Sequence, residues 1–221
     1  SPGTKVFSSC GHVNKPGNYE LSMGATLREL IEDYAGGMRG GRKPKIIVPG
    51  GASAPWLTAE HLDVHLDFES VQAAGSMIGT GGVIVLDETV SAVDVAYKMD
   101  EFFKHESCGK CTPCREGTYW LDKVLDRIMR GEGQESDVDL GNNIAKNMAG
   151  MTLCALGDFA ANPVIHTIKN FPDDFKAHLG APQTPTSITS TPSGIRRGDA
   201  NASAAGDLRD HPTAAGSSVR G

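Results

Sequence analysis

The stretch FFKHESCGKCTPCREGTYWL, Phe102 to Leu121, decides how the second half of this chain folds and what it holds. Three of the chain's five cysteines lie in it, at Cys108, Cys111 and Cys114. They read C-x2-C-x2-C. A single C-x2-C pair occurs in zinc knuckles and in redox dithiols, so it says little. A third thiol at the same step is more specific. On a coiling loop, thiolates three residues apart point toward one large object with several corners. Zinc is one small ion, and its four-thiolate sites come as two separated C-x2-C knuckles. A [4Fe–4S] cubane has the size, and iron–sulfur ferredoxins use the same opening with one more cysteine from elsewhere.

The fourth thiol comes from Cys154 or Cys10. Cys154 sits in GMTLCALGDF, a link between two expected helices. Cys10 sits in a candidate strand of the other half, where a small buried thiol is ordinary. The residues thus favour Cys108, Cys111, Cys114 and Cys154 as the ligands of a [4Fe–4S] cluster, with a structural zinc site as the alternative. Disulfides suit the pattern poorly, because the thiols cluster and their count is odd. A reducing compartment is the expected setting. Around the thiols, Gly109 permits close backbone approach to a sulfide, and Pro113 stiffens the loop. Lys110 and Arg115 would offset a cluster's negative charge if they faced it; otherwise they are surface charge. His105 reads as a helix-end residue favoured by the helix dipole rather than a ligand.

Helical periodicity surrounds the cysteines. SAVDVAYKMDEFFKHE places Val95, Met99, Phe102 and Phe103 on one face. REGTYWLDKVLDRIMRGEG places Trp120, Leu121, Val124, Leu125, Ile128 and Met129 on another, with Gly131 as a stop. SDVDLGNNIAKNMAG is a weaker helix, capped by Ser136, with Val138, Ile144 and Met148 inward. DFAANPVIHTIKNF is a fourth, with Pro163 near its start. Four helices with short links predict a small bundle over residues 89–179.

Residues 1–88 differ. KVFSSCGHV and GNYELS read as strands joined through the turn Asn14-Lys15-Pro16-Gly17. TLRELIEDYAGG reads as a helix, with Thr26 and Glu29 forming a capping box and Leu27, Leu30, Ile31 and Tyr34 on one face. PKIIVPGG and GGVIVLDE are two more strands. The expected fold class is therefore α+β: a small sheet packed on a helix, followed by an all-α bundle. The glycine-rich, basic AGGMRGGRKPK does not match a phosphate loop, because it follows a helix and lacks G-x-x-x-x-G-K-[ST]. Residues 180–221 are rich in Ser, Thr, Ala, Gly and Pro, and are expected to be a disordered tail.

The whole chain has 221 residues and a formal net charge of −6. That balance argues against nucleic acid or an anionic membrane as the main partner. No run of about 18 apolar residues occurs, so direct membrane insertion is not expected. The chain opens on SPGTKVFSS without a methionine, which reads as a start inside a longer protein.

HESCGKCTPCREGTYWL, with NMAGMTLCALGDFAANPV beyond it, resembles the NADH-binding, flavin-carrying subunits of respiratory complex I, a family within the NADH-quinone oxidoreductases. GHVNKPGNYELSMGATLRELIEDYAGGMRGGRKPK, IVPGGASAPWLTAEHLD and AAGSMIGTGGVIVLDE resemble that family's β-grasp (ubiquitin-like, SLBB-type) domain. The likeness covers about residues 4–179 and implies that Cys108, Cys111, Cys114 and Cys154 hold a [4Fe–4S] cluster, with Cys10 outside the set. It further implies electron transfer from FMN, reduced by NADH, through this cluster to the next iron–sulfur subunit. The implied partners are other peripheral-arm subunits, namely a small [2Fe–2S] thioredoxin-like one and a large multi-cluster one. The implied location is the cytoplasmic face of a bacterial inner membrane, or the mitochondrial matrix side, reached through partners.

The family's glycine-rich domain for FMN and NADH has no counterpart in this sequence. The fragment alone is therefore expected not to oxidise NADH. Diaphorase subunits of NAD-linked hydrogenases and formate dehydrogenases carry similar cysteine motifs. They are the nearer alternative, and a zinc-stabilised, non-enzymatic binding module is the more distant one.

Overall fold

The computed structural model describes residues 1–180. The tail expected over 180–221 lies outside the described residues from position 181 onward.

Four strands form one mixed sheet: β1 (Thr4–Gly11), β2 (Gly17–Ser22), β3 (Pro44–Val48) and β4 (Gly82–Asp87). Their spatial order is β2-β1-β4-β3. The β1–β2 and β3–β4 pairs are antiparallel, and the central β1–β4 pair is parallel. At the end of β1, Gly11 has φ +95, and a Cβ there would run into the Val85 carbonyl of β4. Only glycine lets the two backbones approach so closely there.

Side-chain alternation lets the sheet serve two cores. Phe7, Ile47, Val83 and Val85 point to one face, where they meet Leu27, Leu30 and Ile31. Those three lie on α1, an α-turn (Leu27–Glu29) that runs into a wider π turn (Leu30–Tyr34). The expected capping box is present: the Glu29 N–H donates to Thr26 Oγ1 at 3.1 Å, and the Thr26 N–H donates to the Glu29 carboxylate at 2.7 Å. Tyr34, expected inward, is half exposed and leans on Tyr19, with ring centroids 6.0 Å apart. A short helix, α2 (Phe68–Ala73), was not legible in the sequence; Asp67 caps it through the Ser70 N–H.

The opposite face carries Ile46, Val48 and Leu86, which pack with Trp56 against Val90, Ala92, Val95 and Ala96. The last three of these lie on α3 (Ala92–Glu106), so the first bundle helix is also the cover of the sheet. α4 (Thr112–Met129), α5 (Glu135–Met148) and α6 (Leu156–Asn170) complete the four expected helices. Their shared core contains Phe103, Leu121, Leu125, Ile128, Ala145, Met148, Ala160 and Val164. The structure adds a fifth helix, α7 (Pro172–His178), whose Phe175 enters the same core. α5 is capped by Gln134 together with Asp137, not by Ser136. Phe102 and Trp120, expected inward, are half exposed; the packed stripe of each helix is narrower than its apolar stripe.

Candidate metal centre

α3 ends at Glu106, and Ser107 leaves it in an extended conformation. The chain then turns at Gly109, whose φ of +74 suits a residue without a Cβ. Cys111 is the N-cap of α4, and Pro113 lies in that helix's first turn. Cys111 makes no side-chain cap, so its sulfur is left for other use. Cys114 follows one turn on and is buried, Cys111 is half-buried, and Cys108 is exposed.

Cys154 is exposed on the turn between α5 and α6. That turn is anchored locally. The Gly150 N–H donates to the Asp158 carboxylate at 2.5 Å, and Thr152 Oγ1 donates to the Cys154 carbonyl at 2.8 Å. One contact joins the two cysteine loops: the Leu153 backbone N–H donates to Cys111 Sγ at 3.4 Å, across 42 positions of sequence. The Ser107 hydroxyl lies 3.3 Å from Cys114 Sγ. An N–H directed at one sulfur and a hydroxyl beside another are partners that would offset the charge on thiolate ligands.

Among the described residues, no three His, Cys, Asp or Glu side chains crowd close enough to share a single metal ion. A zinc site needs its donors converged on one point, at about 2.3 Å per Zn–S bond. A cubane takes one thiolate at each iron corner, so its ligands stand farther apart. The candidate donors are all thiols, on two loops joined by the Leu153–Cys111 contact, and thiols are the donors an iron–sulfur cluster takes.

Neighbouring charges behave less simply than the sequence suggested. Arg115 donates through Nη1 to the Gly109 carbonyl at 2.7 Å and through Nε to Glu116 at 2.8 Å. It staples the cysteine loop rather than acting as bare charge. Lys110 and His105 are exposed. Cys10 lies on β1, paired with Ile84 of β4, and its side chain is exposed rather than buried as expected; partial desolvation by its strand neighbours pushes its thiol pKa up. In the basic glycine-rich segment, Arg39 donates to the Val13 carbonyl at 3.0 Å and Arg42 pairs with Asp87 at 3.2 Å. Both arginines hold the fold. Sequence reasoning missed the Leu153 N–H and the Ser107 hydroxyl beside the sulfurs. A backbone N–H leaves no mark in a sequence, and a lone serine is too common to single out.

Two known families match successive parts of the chain. Residues 5–85 match the SLBB domain family. Residues 94–178 match the NADH-ubiquinone oxidoreductase-F iron-sulfur binding region. The F subunit of NADH-quinone oxidoreductase in Mycobacterium tuberculosis is 53% identical over 179 residues, covering 81% of this chain and 40% of that protein. Its Streptomyces coelicolor counterpart is 50% identical over 192 residues, covering 86% of this chain and 42% of that protein. The chain thus spans about two fifths of the length of these relatives. A solved NAD+-reducing [NiFe]-hydrogenase in its H2-reduced state aligns with a TM-score of 0.71 at 30% identity, covering 84% of this chain and 30% of that one. With both segments matched in order and half the aligned residues identical, the chain belongs to the family of NADH-quinone oxidoreductase F subunits and corresponds to their C-terminal portion.

Proposed function

We propose that this chain holds a [4Fe–4S] cluster on Cys108, Cys111, Cys114 and Cys154 and forms the electron-relay part of an NADH:quinone oxidoreductase. The supporting observation is the Leu153 N–H on Cys111 Sγ, which sets the Cys154 turn against the C-x2-C-x2-C loop. A cluster bound there supplies one-electron storage. The chain's own residues do the rest. In this reading the loop around Gly109 and the first turn of α4 supply three sulfurs, and the α5–α6 turn supplies the fourth. Both loops are anchored on bundle helices, which would limit reorganisation on a change of charge. No side chain is needed for acid–base chemistry.

The electron donor in this reading is FMN reduced by NADH, bound by a domain outside this chain. The acceptor is the next iron–sulfur subunit, and the remaining partners are the other peripheral-arm subunits. Cys154 sits beside Met151 and Leu153, which are 67% and 84% exposed. Exposed apolar residues at a thiol-bearing turn are suited to cover by a protein partner. Among the described residues no helix is long and apolar enough to cross a membrane. The proposed location is peripheral, on the cytoplasmic or matrix side, through partners. The hydrogenase likeness supports a second reading, a diaphorase part of an NAD-linked hydrogenase. The co-purifying subunits separate the two.

The test is anaerobic reconstitution of the full chain. Iron and sulfide are each expected at about four per chain, as a four-thiolate cubane requires. Reduction should then give the paramagnetic resonance of a one-electron-reduced cluster. Cys154→Ala should lose the cube while Cys10→Ala keeps it. A fully loaded, spectroscopically intact cube in Cys154→Ala would sink the assignment.

A further inference from the structure

Cys114 is the most deeply placed of the four cysteines, at 7% exposure, whereas Cys108 and Cys154 face solvent. A buried thiolate loses its hydration and needs protein donors in its place. Among the described residues, the hydrogen-bonding neighbour of its sulfur is the Ser107 hydroxyl at 3.3 Å. The same Ser107 Oγ accepts the Gly109 backbone N–H at 3.4 Å. A hydroxyl has one proton and two lone pairs. With Gly109 on a lone pair, the proton is free to point at sulfur. A ligand thiolate has no proton of its own, so the bond can run only from Ser107 to Cys114.

We infer that Ser107 is a positioning residue that donates its hydroxyl proton to the Cys114 thiolate and so raises the reduction potential of a cluster held there. The inference rests on the ligand reading proposed above. A hydrogen bond to sulfur draws electron density from it, and the reduced cluster, one charge more negative, gains more from the bond than the oxidised one. The potential therefore rises. The balance is simple: one electron arrives from the donor and the same electron leaves to the acceptor. No bond to Ser107 forms or breaks, and its proton stays on oxygen. Cys111 takes its donor from the Leu153 backbone, which no ordinary side-chain exchange removes. The Ser107 hydroxyl can be deleted alone.

The experiment compares the reconstituted full chain with Ser107→Ala and Ser107→Thr. Iron and sulfide content, midpoint potential and pulsed magnetic resonance of the reduced cluster in D2O are all measured. Ser107→Ala is expected to shift the potential downward at unchanged iron content and to lose one exchangeable deuteron near the cluster. Ser107→Thr, which keeps the hydroxyl, is expected to restore both. If Ser107→Ala cannot be loaded, Ser107→Gly, which also lacks the hydroxyl, takes its place. A deuteron lost in Ser107→Gly and retained in Ser107→Thr supports the bond, and a signal equal in all three chains, from the Leu153 N–H alone, overturns it. A loaded Ser107→Ala with unmodified potential and deuteron signal overturns the inference alone. An unmodified chain that binds no iron–sulfide cluster overturns the ligand reading and this inference with it.

Discussion

The Lys45 ammonium on β3 stands 2.6 Å from the Asp174 carboxylate on α7, and the same carboxylate oxygen accepts the Ala92 N–H at the start of α3, also at 2.6 Å. Lys45 further donates to the Val90 carbonyl at 2.9 Å. Three elements that are distant in sequence, a strand of the sheet and the first and last bundle helices, therefore meet at one carboxylate. Ser91 and His178 add a bond alongside, at 2.7 Å.

Asp174→Ala should loosen this junction. It strips α3 of a cap and leaves the Lys45 ammonium, about one-fifth exposed, without its charged partner, on the Val90 carbonyl. A charge-assisted bond of this kind is worth roughly 1.5–3 kcal/mol. Urea unfolding followed by circular dichroism should show stability fall by that amount. An unchanged midpoint would mean that the junction adds nothing to stability.

This junction was not legible in the sequence, and the reason is physical. α7 is seven residues long and buries little beyond Phe175 and His178, so it shows no helical period. α2 is six residues and equally silent. The strands and the long helices were legible because their apolar residues recur at two- or three-to-four-residue intervals over many positions. Trp120 misled, since an aromatic at core spacing reads as core. Here it instead lines a groove of about 350 Å³ between α4 and α5, together with Leu140, Ile144 and Met148. The candidate ligands were legible because thiol spacing is printed in the sequence. The donors that face their sulfurs depend on how two loops meet, which spacing does not encode.

Asp87 gives an acid-side prediction. It is fully buried, and burial alone would raise its pKa, but Thr89, Arg42 and His12 outweigh that cost and hold it at about 2. Thr89 donates through Oγ1 at 2.5 Å and through its backbone N–H at 3.0 Å. A carboxylate depressed in the folded state stabilises above its unfolded pKa of about 3.9, and that contribution fades as pH falls through the folded value. Asp87→Asn should cost about 2 kcal/mol at pH 7. The gap between the two proteins should close between pH 4 and pH 2 in urea titrations. A gap independent of pH would contradict it.

Gly157 tests the footing of the Cys154 turn. It is buried on α6, and a Cβ there would stand 2.6 Å from Thr152 Cγ2 and 2.7 Å from its Oγ1. Thr152 is the residue that holds the Cys154 carbonyl. Gly157→Ala should push the turn outward at about 1–3 kcal/mol, the usual range for overpacking. Cluster content after reconstitution should fall as well. Trimming the obstruction with Thr152→Ser in the same chain should recover part of both, because serine keeps the hydroxyl and lacks the methyl. Full iron and sulfide in Gly157→Ala would show that the turn does not depend on this packing.

Asp100 gives the alkaline-side counterpart. It lies on α3 with no exposure, and among the described residues neither carboxylate oxygen has a hydrogen-bond partner. Burial, and then Asp122 of α4, push its pKa up to about 8; Lys104 opposes the shift and Glu101 adds to it. Tyr97, one turn earlier, is pushed up to about 12 by burial and by Glu101, Asp126 and Asp122, so it stays neutral. The folded chain therefore keeps a proton that the unfolded chain releases above about pH 4. Stability falls as pH rises from about 4 to about 8, by at most about 1.4 kcal/mol per pH unit for one proton, and levels off beyond. Asp100→Asn keeps the shape and has no proton to lose. Its advantage over the unmodified chain should be small at pH 4 and grow steadily to pH 8, read as diverging urea midpoints. Parallel midpoints across that range would mean that Asp100 is already ionised and paired in the folded protein.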